Sequence, residues 1–229
     1  SSAVTVDMAE MDPENRLLAR ATRMRLPAQM IRDQALAISG LLTERIGGPS
    51  VGPYQPEGLW DDIVERGQEY RLSTGEDLYR RSLYTFWKRT RPALAMITFD
   101  SSTRETHIVA PTRTNTPLQA LNLMNDVTYT EAARALAQKV MQRGEAVDDS
   151  LRYMYRLATA RFPNSSVLSI LNDAYSGHLE NFGTNRGAAL ELISEGESRR
   201  DETLDITELA SYQMVASLIM NLDGTITRD

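Results

Sequence analysis

Six side chains that can bind or react with a ligand lie in a short polar segment near the middle of the chain. They fall within sixteen positions: Asp100, Arg104, Glu105, His107, Arg113 and Asn115. A carboxylate can act as a general acid or base or bind a hard cation, and an arginine can hold an anion through paired hydrogen bonds. A histidine can transfer protons near neutral pH. The segment therefore carries the parts of a ligand-binding or catalytic site.

Two interpretations of this segment are open. In a structural interpretation, Asp100 and Glu105 pair with Arg104 and Arg113 and stabilise the loop that enters the next helix. In a catalytic interpretation, Asp100 or Glu105 is the acid or base, His107 assists it, and the arginines orient an anionic substrate. The chain lacks the nucleophile elbow, the Walker loop and the dinucleotide fingerprint, so a domain without catalytic activity is favoured.

Residues 79–89 supply a second set of candidate contacts, because basic and aromatic residues are interleaved there. Such interleaving is typical of saccharide platforms and of grooves for single-stranded nucleic acid. Arg81 and Trp87 are therefore candidate ligand-binding residues. The same pattern is also typical of a half-buried β-strand, which is the structural alternative.

The composition excludes several classes of site. With no cysteine and two histidines among 229 residues, the chain can form no disulfide, thiolate nucleophile, covalent haem link or multi-histidine metal centre. We therefore expect no metal and no cofactor in it. The net charge of −6 argues against nucleic-acid binding. Residues 71–113 nevertheless carry eight basic and four acidic side chains, a local charge of +4 that suits an anionic partner.

The elements before the polar segment are a helix and an irregular stretch. Apolar residues recur at helical spacing from 31 to 42, directly after Pro27, so a helix is expected there. A Gly/Pro-rich loop at 47–53 follows, and Trp60 is expected to anchor the next loop on the core. Extended-type residues indicate a small β-ribbon at 82–88, 96–99 and 107–109. No apolar run is long enough to span a membrane, and the N-terminus lacks the features of a signal peptide.

The residues after the polar segment predict helices. One begins at Thr116, which has Pro117 in the first turn and Gln119 in the position of a capping-box partner. Its apolar residues recur at helical spacing: Leu118, Leu121 and Met124. Further helix starts are predicted by two capping pairs, Thr128 with Glu131 and Asp205 with Glu208. Periodicity adds helices at about 149–161, 166–182 and 185–193.

The chain is therefore expected to have a mainly α fold. This is a helical bundle with an irregular middle segment that holds at most a small β-ribbon. We expect one domain over residues 1–229. It divides into an N-terminal helical segment and loop at 1–60, the irregular segment at 61–115 and the bundle at 116–229.

Long ordered motifs resemble a known family along almost the whole chain. They include DPENRLLAR at 12–20, YQPEGLW at 54–60, LYRRSLYTFWKRT at 78–90 and RTNTPLQAL at 113–121, with shorter matches at 25–33, 47–51, 98–105 and 221–223. On these motifs the chain resembles the C-terminal planctomycete-specific domain of unknown function. That domain occurs in large exported proteins of Planctomycetes and Verrucomicrobia, often downstream of a cytochrome-c-like segment.

The resemblance implies a setting more than an activity. It implies an exported, periplasmic or cell-envelope protein with haem c on a separate segment of the parent protein. The implied partners are other domains of that protein or an anionic glycan, with no nucleic acid and no membrane-spanning segment. Three functions stay open: a non-catalytic binding or scaffold domain, an enzyme acting on polysaccharide-derived or other anionic substrates, and an accessory domain that docks a haem domain.

The chain departs from the family pattern in two ways. The family domain usually begins well upstream of residue 1, so the chain resembles its C-terminal portion. Where relatives commonly have a cysteine followed by Thr-Val-Arg-Arg, this chain has His107 and the residues Ile-Val-Ala-Pro. His107 either substitutes for that cysteine as a proton carrier or ligand, or fills a packing position.

Overall fold

The computed structural model describes residues 4–56, 58–59, 70–88, 92–110 and 112–228. Over these residues the fold is mainly α, which confirms the predicted class. The elements in chain order are α1 (Val6–Met11), β1 (Met24–Arg25), α2 (Ala28–Ser39), α3 (Leu94–Thr98), α4 (Pro117–Asn125), α5 (Val127–Met141), α6 (Val147–Thr159), α7 (Ser165–Thr184), α8 (Arg186–Leu192), α9 (Ile206–Met220), α10 (Asp223–Ile226) and β2 (Thr227–Arg228). Trp60, the predicted loop anchor, lies outside the described residues.

Helices α5 and α9 form the centre of the bundle. Both have buried residues on several sides rather than along one stripe. A helix that is apolar around its circumference is stable only when other elements surround it. Helices α2, α4, α6, α7 and α8 supply this cover. None of the described helices has the length and apolar character needed to cross a bilayer.

The helix starts follow local capping chemistry. Asp205 caps α9 as predicted, because its carboxylate accepts the N–H groups of Thr207 at 2.8 Å and Glu208 at 3.1 Å. Helix α5 begins earlier than predicted, since Asp126 accepts the Thr128 N–H at 2.9 Å and is itself the N-cap. The predicted capping pair of Thr128 with Glu131 is therefore wrong. Glu131 points into the core.

The apolar face predicted for α4 lies on the solvent side. Leu118, Leu121 and Met124 are all more than half exposed. The buried face of this short helix carries Leu123 and the polar residue Gln119. Helical spacing identifies residues that share a face, but it does not determine which face meets the core.

Thr116→Ala is expected to lower the free energy of unfolding by about 0.5–1 kcal/mol, near the lower end of the range for N-cap residues. Thr116 and Gln119 have the reciprocal arrangement of a capping box. The bond from the Thr116 N–H to Gln119 Oε1 is long, at 3.4 Å, so the effect is modest. Urea denaturation measures the change, with Thr106→Ala in an exposed loop as control. A loss no larger than that of the control would show that Thr116 does not cap α4.

The predicted β-ribbon in the middle segment is wrong. Residues Ser82–Tyr84 form a 3₁₀ turn, residues 94–98 form α3, and residues 107–109 are irregular and exposed. The ribbon in the described residues instead pairs β1 with β2, with Met24 opposite Arg228. Aromatic and β-branched residues favour extended backbone, but a strand also needs a neighbouring strand with free hydrogen-bonding groups.

Two buried arginines fix the irregular segment that follows α2. Arg32 donates to the carbonyl oxygens of Arg80 at 2.9 Å and Leu78 at 2.8 Å. Arg80 donates in turn to the carbonyl oxygens of Pro49, at 2.8 Å, and Gly47. These side chains satisfy backbone acceptors that a β-ladder would otherwise satisfy. The segment therefore keeps a fixed path with little regular secondary structure.

Candidate functional site

Asp100, the first residue of the polar segment, lies at the end of α3 in a left-handed conformation with φ of +58°. Its carboxylate accepts the Thr114 N–H at 2.7 Å and the Thr114 hydroxyl at 2.9 Å. It also accepts a hydrogen bond from Arg25 Nη2 at 2.6 Å. Asp100 therefore connects the end of α3 to the segment that enters α4.

Arg25 is the ionic partner of Asp100, so the predicted pairing of Asp100 with Arg104 or Arg113 is wrong. The Arg25 side chain is 8% exposed. It donates to the carbonyl oxygens of Thr114 at 3.0 Å and Phe99 at 3.2 Å. This partner lies 75 positions away in the sequence, on β1.

Gln119 completes the same hydrogen-bonded cluster from α4. Its side chain is almost fully buried and donates to the Thr98 carbonyl oxygen at 3.0 Å and to Thr114 Oγ1 at 3.1 Å. Asp100, Thr114 and Gln119 thus bond to one another or to neighbouring backbone. Three polar residues from the recognisable motifs have a structural role in joining α3, β1 and α4.

The electrostatics of Asp100 agree with this role. Burial opposes ionisation of the carboxyl group, but the hydrogen bonds from Thr114 and the charge of Arg25 together outweigh it. They lower the pKa of Asp100 below its usual value. A carboxylate held ionised by these partners is a poor proton carrier near neutral pH.

Arg104 lies beside Trp87, the aromatic candidate from the sequence. The Trp87 indole N–H donates to the Thr103 carbonyl oxygen at 3.1 Å. The Arg104 guanidinium then lies 4.8 Å from the centre of the indole ring. Arg104 has a left-handed backbone with φ of +62°, a conformation that is unusual for a long side chain. The indole positions the guanidinium without neutralising its charge.

Arg104 and Arg113 line one surface depression of about 220 Å³ next to the Asp100 cluster. The lining residues are Arg25, Leu26, Pro27, Ala28, Gln29, Phe99, Asp100, Ser101, Ser102, Arg104, Thr112 and Arg113. Arg113 contacts the Met24 sulfur at 2.7 Å, a weak acceptor that carries no charge. Among the described residues, neither Arg104 nor Arg113 has a carboxylate partner.

The other candidates from the polar segment do not join them. Glu105, His107 and Asn115 are exposed, and none of the three lines the depression. The Glu105 N–H is 3.5 Å from Thr103 Oγ1, which is a local turn contact. Arg81 lines a different groove, where its Nε is 3.7 Å from Asp33. The structure thus brings together Arg104, Arg113 and Trp87, with Asp100 as their support.

A second polar cluster, which the sequence did not indicate, lies in the core around Glu131. Tyr54 and Tyr79 donate their hydroxyl groups to this buried carboxylate at 3.0 and 2.8 Å. The Ser198 N–H donates to it at 2.5 Å, and the Arg134 guanidinium is 3.5 Å away. One side chain of α5 therefore joins three separate parts of the chain.

The loop at 193–198 closes over this cluster. Arg134 donates to the carbonyl oxygens of Ile193 at 3.1 Å and Ser198 at 2.6 Å. Gly196 has φ of +86°, and a Cβ atom at this position would overlap the Glu131 carboxyl group. Glycine is required here for both reasons.

The surroundings of the Glu131 cluster keep its two tyrosines neutral. Burial, and then the nearby Glu131 carboxylate, raise the pKa of Tyr54 and of Tyr79 above its usual value. Both tyrosines therefore remain hydroxyl donors near neutral pH. One sequence signal could have identified the cluster. Glu131 is a charged residue directly before two alanines, Ala132 and Ala133, in α5.

Comparisons with known proteins identify a family but no activity. A family model described as PSD1, protein of unknown function (DUF1553), matches residues 1–175. No curated protein and no solved structure matches the chain significantly. Over the residues that the structure describes, no group of three or more histidine, cysteine, aspartate or glutamate side chains is placed to hold a metal ion.

Proposed function

We propose that this chain, which belongs to the PSD1 family of proteins of unknown function, is a non-catalytic domain that binds anionic groups. The binding site is the depression between Arg104 and Arg113. The observation that carries the proposal is that both guanidinium groups line one concave surface without a carboxylate partner among the described residues. Arginine in this state offers several unused N–H donors in a fixed planar arrangement.

The surroundings of the two arginines support binding of a ring-bearing anion. Leu26, Pro27 and Phe99 line the depression, and Ser101 and Ser102 lie at the same surface. Apolar side chains with a few polar groups are typical of sites that orient a small ligand unit. The Trp87 ring contacts the Arg104 guanidinium and positions it without neutralising its charge.

The catalytic alternative receives less support from the same geometry. A general acid or base must come within hydrogen-bonding reach of the reacting group. Asp100 is engaged by Arg25 and Thr114, while Glu105 and His107 lie outside the depression. No observation on the described residues favours the haem-docking alternative.

The proposed ligand is an anionic glycan that carries sulfate or uronic carboxylate groups. The local charge of +4 over residues 71–113 supports this choice, since the chain as a whole is acidic. An exported or cell-envelope setting, with other domains of the parent protein nearby, is part of the same proposal. In that setting, the depression would hold one sugar ring of the glycan. Its two guanidinium groups, which have no carboxylate partner among the described residues, would bind the charged group of that sugar.

The double variant Arg104→Gln/Arg113→Gln is expected to lose retention in affinity electrophoresis on dextran sulfate or polygalacturonate gels. Wild-type retention should fall as salt rises, because the contacts are electrostatic. Uncharged dextran is the matched control ligand, and Arg152→Gln/Arg199→Gln, at exposed arginines elsewhere, is the matched control protein. Thermal melts of the double variant should stay near those of the wild type, because no buried carboxylate loses its partner.

Three results would contradict the proposal, two from electrophoresis and one from thermal melts. One is that the wild-type chain migrates equally in charged and uncharged gels. The second is that the double variant is retained as strongly as the control variant. A large fall in melting temperature of the double variant would show that the two arginines stabilise the fold instead of binding a ligand.

A further inference from the structure

Arg81 lines an open groove of about 530 Å³ that is separate from the Arg104 depression. The groove lies between α2, the end of α6 and the α10–β2 segment, and apolar residues such as Met30 and Leu157 line much of it. Two arginines, Arg81 and Arg228, are at its surface. A groove of this shape suits a length of polypeptide better than a compact small molecule.

The lining of this groove carries two arginines and one carboxylate, Asp33, so its net charge is positive. The Arg81 side chain is 56% exposed, and its Nε is 3.7 Å from Asp33, which is too long for a hydrogen bond. Asp33 is engaged elsewhere, since its other oxygen accepts the Ser82 N–H at 2.7 Å. Arg228 makes no ion pair with any carboxylate in the described part of the chain. The groove therefore favours an acidic segment.

The chain itself carries an acidic segment that does not pack on its body. Residues 4–15 contain four acidic and no basic side chains, and we call this segment the arm. Helix α1 lies within the arm and buries none of its residues, with Val6 and Met11 more than 70% exposed. Exposed apolar and acidic side chains in one segment match the apolar walls and arginines of the groove.

A local turn links the end of the arm to the residues that follow it. Asp12 accepts the N–H groups of Arg16 and Leu17 at 2.8 Å each. Asn15 bonds to both backbone groups of Arg20. Among the described residues, no hydrogen bond joins the arm to the chain beyond Arg20.

The arm leaves the body beside the groove. After the turn, Arg23 pairs with Asp223, and Met24 pairs with Arg228 in the β1–β2 ribbon. Leu26, two residues further on, lines the groove. The attachment point of the arm therefore lies next to the groove. A twofold axis near this point lets two copies place their arms in each other's grooves and form a closed dimer.

We propose that two copies of the chain form a dimer in which the acidic arm of each copy lies in the groove of the other. Asp7 and Glu10 meet Arg81 and Arg228 of the second copy, and Val6 or Met11 contacts the apolar wall. The charged residues of this association do not line the Arg104 depression, although Leu26 lines both surfaces.

Sedimentation velocity of the 229-residue chain at several concentrations tests the dimer. The wild-type chain is expected to dimerise as concentration rises, with weaker association at high salt. Two charge-reversed variants, Asp7→Lys/Glu10→Lys in the arm and Arg81→Glu/Arg228→Glu in the groove, should each raise the dissociation constant at least about tenfold. Arg104→Glu/Arg113→Glu is the control with the same change in net charge as the groove variant, and it should dimerise like the wild type.

An equimolar mixture of the arm variant and the groove variant decides the assignment. Each arm in the mixed dimer faces a groove of opposite charge, so dimerisation should return although each variant alone associates weakly. A purely structural defect would not be restored by mixing. A monomeric wild type at every concentration, a wild-type dimer unaffected by either reversal, or a mixture that stays monomeric would each overturn the proposal.

Discussion

Glu131→Ala is expected to lower the free energy of unfolding by about 3–5 kcal/mol, a large fraction of the stability of a domain of this size. The substitution removes the shared acceptor of the Tyr54 and Tyr79 hydroxyl groups and of the Ser198 N–H. It also leaves the buried Arg134 without its carboxylate partner. Each unsatisfied buried donor is costly because no water replaces the lost acceptor. Urea denaturation followed by circular dichroism measures the change.

The matched control is Glu180→Ala on α7, where the side chain is exposed. This control should change stability by no more than about 0.5 kcal/mol. Gly196→Ala should resemble Glu131→Ala in direction, because an added Cβ would overlap the same carboxyl group. Equal stability of Glu131→Ala and the control would show that the cluster does not hold the loop at 193–198 against α5.

Asp100→Ala is expected to cost about 2–4 kcal/mol at pH 7. It removes the ionic partner of the largely buried Arg25 and an acceptor for the backbone N–H of Thr114. The cost should depend on pH in a definite direction. Because the folded-state pKa of Asp100 is lowered, its stabilisation is fully present above the unfolded-state pKa and is lost as pH falls through the folded-state pKa.

The difference in unfolding free energy between the wild type and Asp100→Ala should therefore be constant near neutral pH and shrink below about pH 4. Denaturation curves at several pH values measure this difference. Asp173→Ala, at an exposed position on α7, is the control and should show a small effect with little pH dependence. A stable Asp100→Ala protein that has lost ligand retention would instead place Asp100 in the binding site.

The Asp100 prediction and the proposed site concern different parts of the same motifs. Asp100, Thr114 and Gln119 make bonds that define where α3 and α4 lie. Arg104 and Arg113 lie next to this support and keep their charges accessible. Substitutions in the first group should therefore change stability, whereas substitutions in the second should change ligand retention.

Local sequence patterns are sufficient to predict the helical class of this protein and the start of α9. Periodicity and caps such as Asp205 act within one or two helical turns, so local sequence contains the information needed to predict them. Arg104 and Arg113 stand out by residue type, and they prove to line one depression.

Long-range packing sets which partner each charged group meets and which helix face is buried, and local sequence patterns do not predict either. Asp100 pairs with Arg25 from β1, and Glu131 receives Tyr54, Tyr79 and a backbone N–H from a distant loop. These contacts join positions 52 to 77 residues apart. Their energy depends on burial and on the exact approach of several chain segments, neither of which is encoded in local spacing.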